Sequence, residues 1–133
     1  MIEDIERATH LVAVHLERAA GDLGVTQAEA HVLAQLARRG TLTVAVLHHE
    51  FGHKRSTLTS VLDRLESRGL VQRTVHPADR RSFLVEPTPA GKRAGEAVVR
   101  VVDELEARIR SHVTERDVAG VRAVADALRE TVT

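Results

Sequence analysis

Gly52-His-Lys-Arg-Ser-Thr-Leu-Thr-Ser-Val-Leu-Asp-Arg-Leu-Glu-Ser-Arg-Gly-Leu-Val-Gln-Arg73, followed after Thr74 and Val75 by His76-Pro-Ala-Asp-Arg-Arg-Ser-Phe-Leu-Val-Glu-Pro-Thr88, is the stretch that decides how this chain reads. Leu58, Val61, Leu62 and Leu65 fall in one narrow arc when residues are turned by about 100° each, the spacing of a helix with one buried face. That arc forces Ser56, Ser60, Asp63 and Ser67 outward and leaves Thr57, Thr59 and Arg64 on the flanks. Gly69 stands just past the helix end, where a left-handed conformation is wanted. Leu70 to Val75 and Ser82 to Val85 then read as two strands around the hairpin loop Pro77-Ala-Asp-Arg-Arg81, whose residues favour turns and carry charge.

Working outward, Ile5, Val12, Leu16 and Ala19 recur at helical spacing, so a first helix is expected from Ile2 to about Ala20, ended by Gly21 and Gly24. Thr26-Gln-Ala-Glu29 is a capping box that opens a second helix with Val32, Leu33 and Leu36 inward, stopped at Gly40. Thr43 is placed to cap a short third helix running to about Glu50. Thr88-Pro89 starts a long fifth helix with the stripe Ala94, Val98, Val101, Val102, Leu105 and Ile109. Thr114 to Asp117 begins a sixth carrying Val118, Val121, Val124, Ala125 and Leu128.

A length of 133 residues is one domain's worth of chain. Hydrophobic residues make up 43% but aromatic ones 2%, only Phe51 and Phe83, so the core must be built from Leu, Val and Ala. The 19 basic and 19 acidic side chains cancel, which gives no whole-chain attraction to a polyanion. Distribution matters more: from Lys54 to Arg81 there are seven cations, Lys54, Arg55, Arg64, Arg68, Arg73, Arg80 and Arg81, against Asp63, Glu66 and Asp79. A local basic stripe on a neutral chain is the footprint of a nucleic-acid reader. The lack of cysteine excludes disulfides and thiolate chemistry. No apolar run approaches the ~20 residues that span a bilayer, and the acidic start Met-Ile-Glu-Asp-Ile-Glu is unlike a signal peptide, so a cytoplasmic location and no membrane partner are expected.

A helix with an outward hydroxyl face, followed at once by a basic hairpin, is the anatomy of a winged helix-turn-helix, one part sized for the major groove and the other for the minor groove or backbone. The expected fold class is mainly α with a small β-hairpin wing. The Thr26-initiated helix, Leu42-Thr43, Ser56-Thr-Leu-Thr59, Asp63-Arg-Leu-Glu66, Gly69-Leu-Val71, Asp79-Arg-Arg81 and Thr88-Pro-Ala-Gly91 stand in an order that resembles the multiple antibiotic resistance regulator (MarR) family of bacterial transcription factors. The resemblance implies a DNA-binding lobe over about residues 26–88, with dimerisation helices over about 1–20 and 89–133. It implies a homodimer on a palindromic operator, most often a repressor relieved by a small-molecule effector. The uncovered apolar stripes of the terminal helices point to the dimer independently.

On this reading Ser56, Thr57, Thr59 and Ser60 touch base edges or phosphates, and Lys54, Arg55 and Arg64 neutralise phosphates. The face lacks Asn and Gln, the bidentate adenine readers, while Arg55 or Arg64 suits guanine. The resemblance places Arg81 at the wing tip to enter the minor groove, with Asp79 orienting it and Arg80 left for phosphate. Two residues depart from the family pattern: Lys54 stands where Ser or Thr often caps the recognition helix, and His53 where an apolar residue is usual. The other reading of these residues is a solvated surface helix and a solvated turn.

By the same resemblance the effector crevice is expected between the dimerisation helices and the DNA-binding lobe, near His10, Val14, His15, His31 and apolar residues of the fifth helix. Eight histidines raise a metal-responsive alternative centred on His48, His49 and His53, although the turn expected at Gly52 breaks the i, i+4 spacing of His49 and His53. A winged-helix module that binds protein and not DNA is the other alternative. There is no Gly-rich phosphate loop, nucleophile elbow or paired-carboxylate pattern, so neither an enzyme nor a cofactor is expected.

Overall fold

A computed structural model of the protein describes residues 1–51 and 55–132, with the side chains of Phe51 and Arg55 outside that description. The elements follow as α1 (Ile2–Asp22), α2 (Gln27–Arg39), β1 (Leu42–Thr43), α3 (Val44–Phe51), α4 (Arg55–Ser67), β2 (Val71–His76), β3 (Asp79–Pro87), α5 (Pro89–Arg110) and α6 (Glu115–Val132). They group into two compact units, Met1–Val102 and Asp103–Thr133.

Local chemistry explains most boundaries in the first unit. Thr26 and Glu29 form the expected capping box: the Glu29 N–H donates to Thr26 Oγ1 at 3.1 Å and the Thr26 N–H to Glu29 Oε1 at 3.3 Å. Gly40, at φ +78°, and Gly69, at φ +71°, end α2 and α4 in the left-handed region that a Cβ disfavours. α1 runs through Gly21 as far as Asp22, and the break falls at Gly24, at φ +75°. Thr43 Oγ1 accepts the Val46 N–H at 3.1 Å, capping α3 as its position suggests.

Leu58, Val61, Leu62 and Leu65 are all at most 1% exposed and pack with Leu33, Leu36, Leu47, Val71 and Val85. An aliphatic core of this kind stabilises by roughly 1.5–3 kcal/mol for each large side chain buried. Burying one arc of α4 is what turns its hydroxyl face outward.

The sheet has one strand more than the hairpin expected from sequence. β1 pairs with β3 through Leu42 to Val85 and Thr43 to Leu84, giving an antiparallel sheet in the order β1-β3-β2. Two residues are too short to show an alternating pattern, so β1 has no signal of its own along the chain. The wing strands also extend further than expected, with only Pro77 and Ala78 between them.

Within the second unit, Thr114 and Asp117 close the start of α6. The Asp117 N–H donates to Thr114 Oγ1 at 3.2 Å, and Asp117 Oδ2 accepts from the Thr114 N–H at 2.8 Å. The Thr114 N–H first, and then the Thr114 hydroxyl, which donates to the same oxygen at 2.8 Å, hold the Asp117 carboxyl below its ordinary range. Arg110 bridges Glu106 and Glu115 at 2.8 and 2.7 Å, which raises its already high pKa. α6 has no buried residue, and Val121 and Val132 stay 70% and 74% exposed. Among the described residues no helix is long and apolar enough to cross a membrane.

Candidate nucleic-acid interface

Ser56, Thr57, Thr59 and Ser60 all lie exposed along one side of α4, where the buried leucine arc puts them. Lys54 lies outside the described residues, as do His53 and the Arg55 side chain, so those parts of the expected interface have no geometry here. Asp63 and Arg64 continue the exposed face one turn on.

The wing tip is shaped by a break in strand register. β2 and β3 pair regularly from Val71 opposite Pro87 to Val75 opposite Phe83, and then His76 sits opposite Asp79. Arg80, Arg81 and Ser82 therefore have no residues opposite them on β2, and the chain bulges outward where the two arginines stand. Asp79 holds that bulge: its Oδ1 accepts the Arg81 N–H at 3.0 Å and its Oδ2 accepts the Ser82 hydroxyl at 3.2 Å. On the other side of the turn, His76 Nδ1 accepts the Ala78 N–H at 3.0 Å. Asp79 thus positions the backbone that carries Arg81. Among the described residues neither Arg80 nor Arg81 has an ion-pair partner, and both are exposed.

Three further cations of the basic stripe, Arg64, Arg68 and Arg73, are engaged inside the chain. Arg73 on β2 reaches Asp63 at 2.6 Å and Glu66 at 3.2 Å, both on α4, and its own N–H also donates to Glu66 Oε2 at 3.1 Å. The side-chain hydrogen bond from Arg73 holds the Glu66 carboxyl below its ordinary range, and Glu66, ahead of Asp63, raises the guanidinium. Arg64 and Arg68 face Glu29 of α2 at 3.9 and 3.3 Å. Sequence reasoning sets Arg64 on phosphate; it stands half-exposed with its Nε toward this buried carboxylate.

Away from these surfaces, a cavity of about 90 Å³ opens within the first unit. Leu16 and Ala20 of α1, Ala30 and Ala34 of α2, and Val98 and Val102 of α5 wall it, and Gln27 and His31 supply its polar edge. Of the effector residues expected from sequence, His31 lines this cavity, while His10, Val14 and His15 lie on α1 outside the lining. Apart from that polar edge the lining is aliphatic, without Phe, Tyr or Trp. Among the described residues no three histidine or carboxylate side chains are grouped to hold a metal ion.

Comparison with known proteins bears on this geometry. Residues 25–83 match the MarR family profile. The chain is 35% identical over 94 residues to the HTH-type transcriptional repressor MdtR of Bacillus subtilis (strain 168), an alignment covering 71% of this chain and 61% of that protein. It spans less than two thirds of the length of the curated relatives it matches. Its fold is similar to that of the transcription regulator MarR from Oenococcus oeni PSU-1, with a TM-score of 0.83 at 19% identity over 97% of this chain and 98% of that one. It is also similar to NadR in complex with 4-hydroxyphenylacetate, with a TM-score of 0.84 at 23% identity over 96% and 91% of the two chains. The matched stretch runs from the start of α2 into the wing, and over it the chain is similar to the MarR family in sequence, as it is in fold to solved MarR regulators.

Proposed function

We propose that this chain is a sequence-specific double-stranded DNA-binding transcriptional regulator, a repressor that acts as a homodimer on a palindromic operator and is released by a small effector. The observation that carries the reading is the pairing of two surfaces. The hydroxyl face of α4, with Ser56, Thr57, Thr59 and Ser60, is turned outward, and a hairpin beside it presents Arg80 and Arg81 with no carboxylate partner among the described residues. Small hydroxyls read base edges and phosphates, and unpaired cations release counterions on contact with the backbone.

The dimer rests on apolar surface that the chain leaves uncovered. Ile2, Leu11 and Val12 on α1 are 54%, 61% and 41% exposed, and on α6 no residue is fully buried and Val121 is 70% exposed. A second copy burying the same faces satisfies both chains with twofold symmetry. For the effector, the aliphatic cavity edged by Gln27 and His31 favours a small aliphatic group with one polar end over a planar ring that needs aromatic stacking.

Val75 and Phe83, cross-strand neighbours on the wing, are 51% and 47% exposed, which favours as a second reading a winged-helix module that docks on protein. Selection of duplexes from a random pool separates the two. Recovery of a palindromic motif supports the regulator, and recovery of unenriched sequence with no retained duplex supports the protein-docking module.

A further inference from the structure

Among the described residues Glu29 is the one charged residue buried in the core, with its side chain 5% exposed. A carboxylate in that position is costly unless donors surround it. Three donors converge on it: the Thr26 N–H on Oε1 at 3.3 Å, Arg68 Nη1 on Oε2 at 3.3 Å, and Arg64 Nε facing Oε1 at 3.9 Å. The first is the ordinary duty of a capping-box residue. The other two come from the last turn of α4, the helix that carries the proposed reading face, and from the residue just past its end, and both arginines are about half-exposed, at 51% and 45%.

We propose that Glu29 is a positioning residue for sequence discrimination: from α2 it fixes the rotation of α4 and withholds Arg64 and Arg68 from indiscriminate phosphate contact. The inference rests on the DNA-binding reading and adds to it a residue that touches no DNA. Two guanidinium groups spaced i, i+4 and held by one carboxylate constrain how α4 turns about its axis, which a single contact does not. The energetics are asymmetric. Moving Arg64 or Arg68 to a phosphate strips a partner from a buried carboxylate, and breaking such a pair costs more than an exposed ion pair returns. An exchange of that kind succeeds only where the duplex holds α4 by further contacts, so a random sequence gains less from these two arginines than from Arg80 and Arg81.

The test uses the full chain, a duplex selected from a random pool by the parent, and a scrambled duplex of the same composition. Glu29→Gln keeps the volume and the capping-box function, since glutamine serves at that position, and removes the charge. The expected result is a loss of roughly ten-fold in the ratio of selected to scrambled affinity, with a salt dependence steeper by about one unit of log–log slope per released arginine. A role in stability alone lowers the unfolding midpoint but leaves ratio and slope as in the parent, and that outcome overturns the proposal. Arg68→Gln, at a half-exposed site that leaves the Thr26–Glu29 cap itself in place, gives a second measurement should Glu29→Gln not fold. It should lower the ratio without steepening the slope, and an unchanged ratio counts against the proposal. If the parent itself does not retain a duplex, it is the DNA-binding reading that fails.

Discussion

Arg73 on β2 and Asp63 on α4 are joined by a 2.6 Å ion pair, and the same guanidinium continues to Glu66 one turn along the helix. The hairpin is thus clasped to α4 by a side chain that belongs to neither of the proposed reading surfaces. Arg73→Ala should loosen this clasp and lower the unfolding midpoint at neutral pH. The sign with pH follows from Glu66, whose pKa lies below its ordinary 4.5. A carboxylate depressed in the folded state adds stability above its unfolded pKa, and that contribution is lost as pH falls through the folded value. Midpoints of parent and Arg73→Ala should therefore converge as pH is lowered below about 4.5, read by denaturant titration across pH. A gap that persists unchanged into strong acid contradicts the clasp.

Gly91 marks a close crossing between the first turn of α5 and the end of the α4 segment. A Cβ there would collide with the backbone carbonyl of Leu70, itself held by the Thr88 N–H at 3.0 Å. Gly91→Ala should destabilise by about 1–3 kcal/mol or more, since backbone cannot step aside as a flexible side chain does. Gly21→Ala meets open space within α1 and should stabilise by about 0.5–1 kcal/mol. Chemical denaturation of the two variants beside the parent checks both signs.

Light scattering at micromolar concentration is expected to report twice the 14.6 kDa of one chain. Leu11→Glu, on the exposed apolar face of α1, should shift the mass toward the monomer. A parent that is monomeric at this concentration removes the twofold operator along with the dimer.

With two recognition helices related by a twofold axis, the preferred site should be an inverted repeat with half-site centres about 34–36 Å apart, one turn of duplex. Footprinting checks this directly, and protection of a single asymmetric half-site contradicts it.

Arg81→Ala and Ser60→Ala should fail in different ways. Removing Arg81 should weaken binding to all duplexes and lower the salt slope by roughly one unit for each phosphate that a subunit no longer neutralises. Removing the Ser60 hydroxyl changes no counterion release and should alter the preference among operator variants instead. Anisotropy titrations at several salt concentrations separate them. Arg81→Ala binding like the parent at every salt would falsify the wing assignment.

The elements and their ends are legible in the chain alone, because they depend on near neighbours. A leucine arc at helical period sets which face of α4 is outward, a Thr-x-x-Glu box starts α2, and glycines at positions 40 and 69 stop helices whichever partners lie beyond. Which charges are available is settled only by the fold. Arg64, Arg68, Arg73, Arg80 and Arg81 look alike along the chain, yet Glu29 takes the first two and Asp63 and Glu66 take the third, while the register break at the wing leaves the last two with no ion-pair partner among the described residues. The same holds for β1, which is a strand only because β3 lies beside it, and for the cavity, whose walls come from two consecutive helices and a third far along the chain. A helix cap or a helical period is written within a few residues, whereas an ion pair 39 residues apart and a cavity wall exist only once the chain has closed on itself.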